Sequence, residues 1–170
     1  MKTVSAPQLR QTDAMTKKNR VRWGYVFYEE RGSAPAYEWL AALPSNIRGE
    51  FLNTLESVLL SPSPPTQYLL NRWHAMKKVG AVDMGGYHEA RDQHAKTNYR
   101  LYCRFDRAAA DAREIGAPVL VILHGASKRE ETAMPDAVYR EVQRCWQRYF
   151  QAQRRCSEVE FPPVELDPSP

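Results

Sequence analysis

Residues 98–106 read NYRLYCRFD. Tyr99, Leu101, Cys103 and Phe105 fall on one side of an extended chain, and Arg100, Tyr102 and Arg104 fall on the other. That period of two is what a strand needs when one face packs on a core and the other carries polar groups. Working outward, YHEARD at 87–92 is expected to be a second strand, preceded by a turn at Gly85-Gly86. Lys96-Thr97-Asn98 forms the expected hairpin tip between them. Downstream, 107–116 is a charged, Ala-rich loop, and PVLVIL at 118–123 is apolar without alternation, as in a strand covered on both faces. Pro135 then opens a long amphipathic helix to about residue 155.

Upstream, VRWGYVFYE at 21–29 is rich in β-branched and aromatic residues and reads as a strand. PAYEWLAAL at 35–43 reads as a helix stopped by Pro44. From Ser45, Ile47, Phe51, Leu55 and Val58 recur at helical spacing until SPSPP at 61–65. Residues 66–85 show no period. The expected order is therefore β-α-α-β-β-β-α, an α+β fold with a small, mainly antiparallel sheet.

The chain has 170 residues, 24 Lys plus Arg against 20 Asp plus Glu, and a net charge of +4. Residues 157–170 carry Glu158, Glu160, Glu165 and Asp167 and no Lys or Arg; removing that −4 leaves +8 on residues 1–156. A basic body of this kind fits a polyanionic partner, nucleic acid foremost. Residues 1–20 read as a flexible basic arm, 21–156 as one domain, and 157–170 as an acidic, Pro-rich tail expected to fold back over basic surface. Three widely spaced cysteines without a CxxC pair argue against a disulfide framework or a zinc site, and fit the cytoplasm. No apolar stretch approaches the roughly 20 residues of a membrane span, and no secretory signal is evident. Walker, GxGxxG, HExxH and GxSxG patterns are absent, so no cofactor and no metal is expected.

Three places could carry chemistry. Arg91, Arg100, Tyr102 and Arg104 share the polar face of the hairpin, where guanidiniums bind phosphate and a tyrosine can stack on a base. The same pattern also describes a solvated sheet face. His124-Gly125-Ala126-Ser127-Lys128-Arg129 follows the buried strand, where a loop can present a histidine and two cations. Arg140, Arg144 and Arg148 form a stripe on the last helix, which could meet a polyanion or simply face water.

Four phrases then stand in register: WLAALP at 39–44, YHEARD at 87–92, NYRLYCRFD at 98–106 and VILHGASKR at 121–129. Together they resemble the RelE/HigB toxin superfamily of type II toxin–antitoxin systems, in particular its phage-derived, HigB-like branch. The resemblance covers about 100 residues. It implies a compact, microbial-ribonuclease-type fold and metal-independent, ribosome-dependent cleavage of mRNA in the cytoplasm, held in check by a cognate antitoxin protein. By position, it implies Arg91, Arg104 and Lys128 as catalytic residues. Lys77, Lys78, Arg100, Tyr102, His124 and Arg129 would contact RNA. Two other functions are open on the same fold: ParE-type inhibition of gyrase through protein contacts, and a catalytically silent phage or prophage binding protein.

Overall fold

The computed structural model describes residues 24–60, 71–107, 119–151 and 156–157. The expected arm at 1–20, most of the loop at 107–116 and the tail beyond Ser157 lie outside them. The elements run β1 (Gly24–Tyr28), α1 (Pro35–Ala42), α2 (Ser45–Leu60), β2 (Trp73–Ala75), β3 (Lys78–Val79), β4 (Val82–Asp83), β5 (Tyr87–His94), β6 (Thr97–Asp106), β7 (Val119–Arg129), α3 (Asp136–Gln151) and β8 (Cys156–Ser157). The α+β class and the mainly antiparallel sheet agree with the expectation. The order is richer than β-α-α-β-β-β-α, because 71–83 holds three strands of two or three residues and β8 adds another.

The open sheet has five main strands closed at one edge by the two-residue β8, in the order β2-β5-β6-β7-β1-β8. Only β1 and β7 run parallel. β3 and β4 form a separate hairpin. The chain leaves β1 and reaches the far edge at β2 through α1 and α2, which cover one face. Pro35 stands in the first turn of α1, where its missing N–H is no loss. Leu43, forced extended before Pro44 (ψ 153°), ends the helix by donating its N–H to the Leu40 carbonyl at 3.2 Å. Leu40, Ile47, Phe51, Leu55 and Val58 from these helices pack on Phe27, Trp73, Ala90, Leu101, Cys103, Leu120 and Ile122.

α3 lies on the opposite face. Tyr139, Val142, Cys145 and Tyr149 meet Val26, Tyr28, Tyr102, Val119, Val121 and Leu123. β7 is thus sandwiched, which explains why its first five residues carry no alternation. Its strand continues through 124–129, so HGASKR is not a loop: it pairs with β6 as far as Arg129 opposite Thr97. The β5–β6 turn is the dipeptide Ala95-Lys96, with φ of 46° and 64° and His94 paired to Thr97. It sits one residue before the expected tip, because a two-residue hairpin that follows the strand twist takes positive φ at both centres.

Candidate functional site

One irregularity in β7 builds the site. Tyr102 pairs with His124 but Cys103 pairs with Ile122, leaving Leu123 as an extra residue. A bulge of this kind puts two successive side chains on one face. Leu123 enters the core under α3, and His124, opposite Tyr102, faces the same helix. Before the bulge, odd-numbered residues of β7 look toward α3; after it, His124, Ala126 and Lys128 do. Lys128 thereby joins the face that carries Glu89 and Arg91 on β5 and Arg100, Tyr102 and Arg104 on β6. Arg91 pairs across to Arg100, Arg100 to Ala126, and Lys128 lies one same-face step beyond. Arg129, by the same alternation, is turned to the other face and is exposed.

The mouth of this face is organised by a carboxylate. Glu89 is only 5% exposed. Its Oε1 accepts from Arg91 Nε at 2.7 Å and from Arg91 Nη2, and Arg100 Nη1 lies 3.9 Å away. Among the described residues no hydrogen bond or ion pair falls on Oε2. Burying a carboxylate is tolerated here because the charge is shared with two guanidiniums. Lys128 Nζ donates to the Thr132 carbonyl at the turn after β7. Three cations and one carboxylate leave the mouth positive.

Two tyrosines form its floor. Tyr102 is fully buried, edge-on to Tyr139 of α3 with centroids 5.9 Å apart at 81°. Burial raises the pKa of both phenols, that of Tyr102 well above the usual range; Tyr139 adds to the shift of Tyr102, and Glu89 adds to both. The expected base-stacking role of Tyr102 is therefore corrected: Tyr139 covers its ring, and no base can reach it in this state. Tyr139, which no sequence motif singled out, lies within electrostatic reach of Glu89, Arg100 and Arg91.

The expected catalytic trio divides. Arg104 lies four residues beyond Arg100, about 13 Å along the strand. Its guanidinium is stacked between the Tyr87 ring, 4.6 Å to the centroid, and the Trp146 ring of α3, 4.7 Å. Gly86, at φ +85°, leaves space for it: a Cβ there would come within 3.4 Å of Arg104 Nη2. Arg104 fastens α3 to the sheet, while Arg91 and Lys128 stay at the mouth.

His124 is half-buried, and its Nδ1 is enclosed without a hydrogen-bond partner. Burial lowers its pKa; Glu141 of α3 pulls the other way, and Arg144 adds to the lowering. Lys77 and Lys78 are exposed beside and on the β3–β4 hairpin, which abuts the start of α3, with Gly80 against Asp136. The arginine stripe is mostly engaged. Arg144 pairs with Glu141 and, at 3.1 Å, with Glu30, and Arg148 also pairs with Glu30. Only Arg140 of the three lies exposed on the helix. Glu130, beside the mouth, accepts from Gln93 Nε2 at 2.9 Å.

Among the described residues, no group of three His, Cys, Asp or Glu side chains could hold a metal, and no helix is long and apolar enough to cross a membrane. No family model, curated protein or solved structure matches the chain.

Proposed function

We propose that this chain is a metal-independent endoribonuclease with a RelE/HigB-like fold. It acts as the toxin of a type II toxin–antitoxin pair and cuts mRNA engaged on the ribosome. What carries the reading is the mouth. Arg91, Arg100 and Lys128 converge on one sheet face through the β5–β6 register and the β7 bulge, with a buried carboxylate and a tyrosine at their centre. Guanidiniums and an ammonium on one face can orient an RNA phosphate and stabilise the charge that builds on it during transesterification. In this reading Arg91, Arg100 and Lys128 hold the scissile phosphate, Tyr139 borders the nucleotide, and Lys77 and Lys78 guide the strand past the start of α3. Arg104 acts indirectly, as a positioning residue that seats α3. A cognate antitoxin would cover the mouth in the cytoplasm.

A second reading has one observation in its favour. Arg104, catalytic by resemblance, is enclosed by Tyr87 and Trp146, which fits a catalytically silent binding protein of the same fold. The test is to add the purified chain to a translation mix programmed with a reporter mRNA and to map new RNA ends. Ends that require both the chain and ribosomes support the nuclease; intact mRNA with normal translation supports the silent protein. Intact mRNA together with inhibited DNA supercoiling would support a gyrase-directed relative.

A further inference from the structure

β8 fixes the direction in which the C-terminal segment sets out. Cys156 pairs with Tyr28 and Ser157 with Phe27, antiparallel to β1, so the chain leaves Ser157 heading for the Gly24 end of that strand. Gly24 lies opposite Val119, and Val119 lies opposite Asp106. Arg91, Arg100 and Lys128 stand at the other end of the sheet, since β7 runs from Val119 toward Lys128. The acidic, Pro-rich segment is therefore launched away from the mouth.

An aromatic step stands at the end it approaches. Tyr149 of α3 donates to Asp106 Oδ2 at 2.8 Å, which seats the last turns of the helix over the end of β6. Trp146 covers the Arg104 guanidinium, which in turn lies over Tyr87. Phe150 is one helical turn beyond Trp146 on the same side of α3, and it continues the stack with centroids 5.8 Å apart at 35°. It is 56% exposed. The stack thus climbs from the sheet to solvent as ring, cation, ring, ring. Arg104 enters no ion pair with a carboxylate among the described residues, and Arg107 is exposed just past the end of β6. The step is apolar on top and positive beneath.

We propose that residues 158–164, EVEFPPV, dock on this step. Phe161, Pro162 and Pro163 lie against Trp146 and Phe150, and Glu160 turns toward Arg104 and Arg107. The reach is sufficient. From Ser157 the end of the sheet is about 10 Å along the strand direction, and β6 is three strand spacings across, about 14 Å. The diagonal is about 17 Å, which six extended residues, spanning about 20 Å, can cover. The chemistry matches as well. Proline-rich chain docks on aromatic surfaces at a low entropy cost, because its extended conformation is set beforehand. Glu158, Glu160 and Glu165 flank the apolar run at 161–164 and complement the cations below it. Docked there, the segment clamps the last turns of α3 onto Arg104 and leaves the mouth open, whatever the mouth binds.

The test uses the full-length chain with benzoylphenylalanine in place of Phe161, irradiated and mapped by mass spectrometry. The expected crosslinks join position 161 to residues 146–150 within one chain. In parallel, Phe150→Ala, Phe161→Ala and the double variant are compared by thermal unfolding. Phe150 is exposed, so its truncation leaves the core intact. Each single change should lower Tm by about 2–4 °C, and the double change by no more than the larger single one, because both break the same contact. Crosslinks to the residues around Arg91, Arg100 or Lys128 would overturn the proposal in favour of a segment folded over the mouth. Crosslinks between two chains would overturn it in favour of a contact between copies. An absence of crosslinks, or losses in Tm that add, would overturn it outright.

Discussion

Gly125 is buried in the middle of β7, and a Cβ built on it would lie 2.1 Å from Trp39 Cε3 and 2.2 Å from Cδ2. Ordinary contact begins near 3.4 Å, so the indole must retreat by about 1.3 Å to admit one methyl group. Trp39 is half-buried, so the ring has somewhere to go: outward, away from Phe51 at 5.8 Å and Tyr99 at 6.5 Å. Each aromatic pair given up is worth about 0.5–1.5 kcal/mol beyond its buried area, and over-packing a core costs about 1–3 kcal/mol. Gly125→Ala should therefore cost about 2–3 kcal/mol, or roughly 4–12 °C in Tm for a chain of this size. Urea unfolding followed by tryptophan fluorescence reads the change as a shift in midpoint at constant m. Shrinking the obstacle should restore much of the loss, so Gly125→Ala in a Trp39→Leu background should cost less than about 1 kcal/mol relative to Trp39→Leu alone. A single-variant cost below about 0.5 kcal/mol, or an equal cost in both backgrounds, would refute this account of why glycine stands at 125.

Arg104→Ala removes a guanidinium sandwiched between two rings and should cost about 1–3 kcal/mol, against no more than about 0.5 kcal/mol for Arg140→Ala on the exposed helix surface; thermal unfolding of both variants checks this. His124 enters the fold with a pKa lowered by burial, so the unfolded chain binds its proton first as pH falls. Its contribution is fully present above pH 6.5 and declines below it, and the urea midpoint should drop between pH 7.5 and 5.5 in wild type but much less in His124→Asn. Binding of single-stranded RNA through Arg91, Arg100 and Lys128 should weaken with salt with a log–log slope of about −2, and Arg100→Ala should reduce that slope by about 0.7, as fluorescence anisotropy would register.

Much of the architecture could be read from residue order because its signals are local. The alternation of 99–105 gives β6 directly, and Pro35, Pro44 and the Ile47–Phe51–Leu55–Val58 spacing delimit α1 and α2. β2, β3 and β4 could not be read, since two or three residues are too few to express a period and are defined only by their partners. The β7 bulge was equally hidden. It arises from the pairing of Tyr102 and Cys103 with a neighbouring strand, and His124-Gly125 without that partner looks like the start of a loop. The site followed the same division. Arg91 and Arg100 were legible as polar-face cations and Lys128 as a loop cation, but the place of Lys128 on that face depends on the β7 bulge, and the separation of Arg104 depends on how α3 seats Trp146 over it. Tyr102 belongs to the polar alternation, yet the same helix buries it beneath Tyr139. Glu89 stands in YHEARD two residues from Arg91 but was not singled out. Its place among the arginines emerges only from the burial and the hydrogen bonds from Arg91 that the three-dimensional arrangement imposes.

The most direct test of the central claim is primer extension on a reporter mRNA in a reconstituted translation mix, comparing wild type, Arg91→Ala and Arg104→Lys at equal folded concentration. The account expects ribosome-dependent cuts from wild type, a loss of at least about 100-fold in Arg91→Ala, and cutting retained within about tenfold in Arg104→Lys. Absence of cuts by folded wild type, or Arg91→Ala cutting as well as wild type, would contradict it.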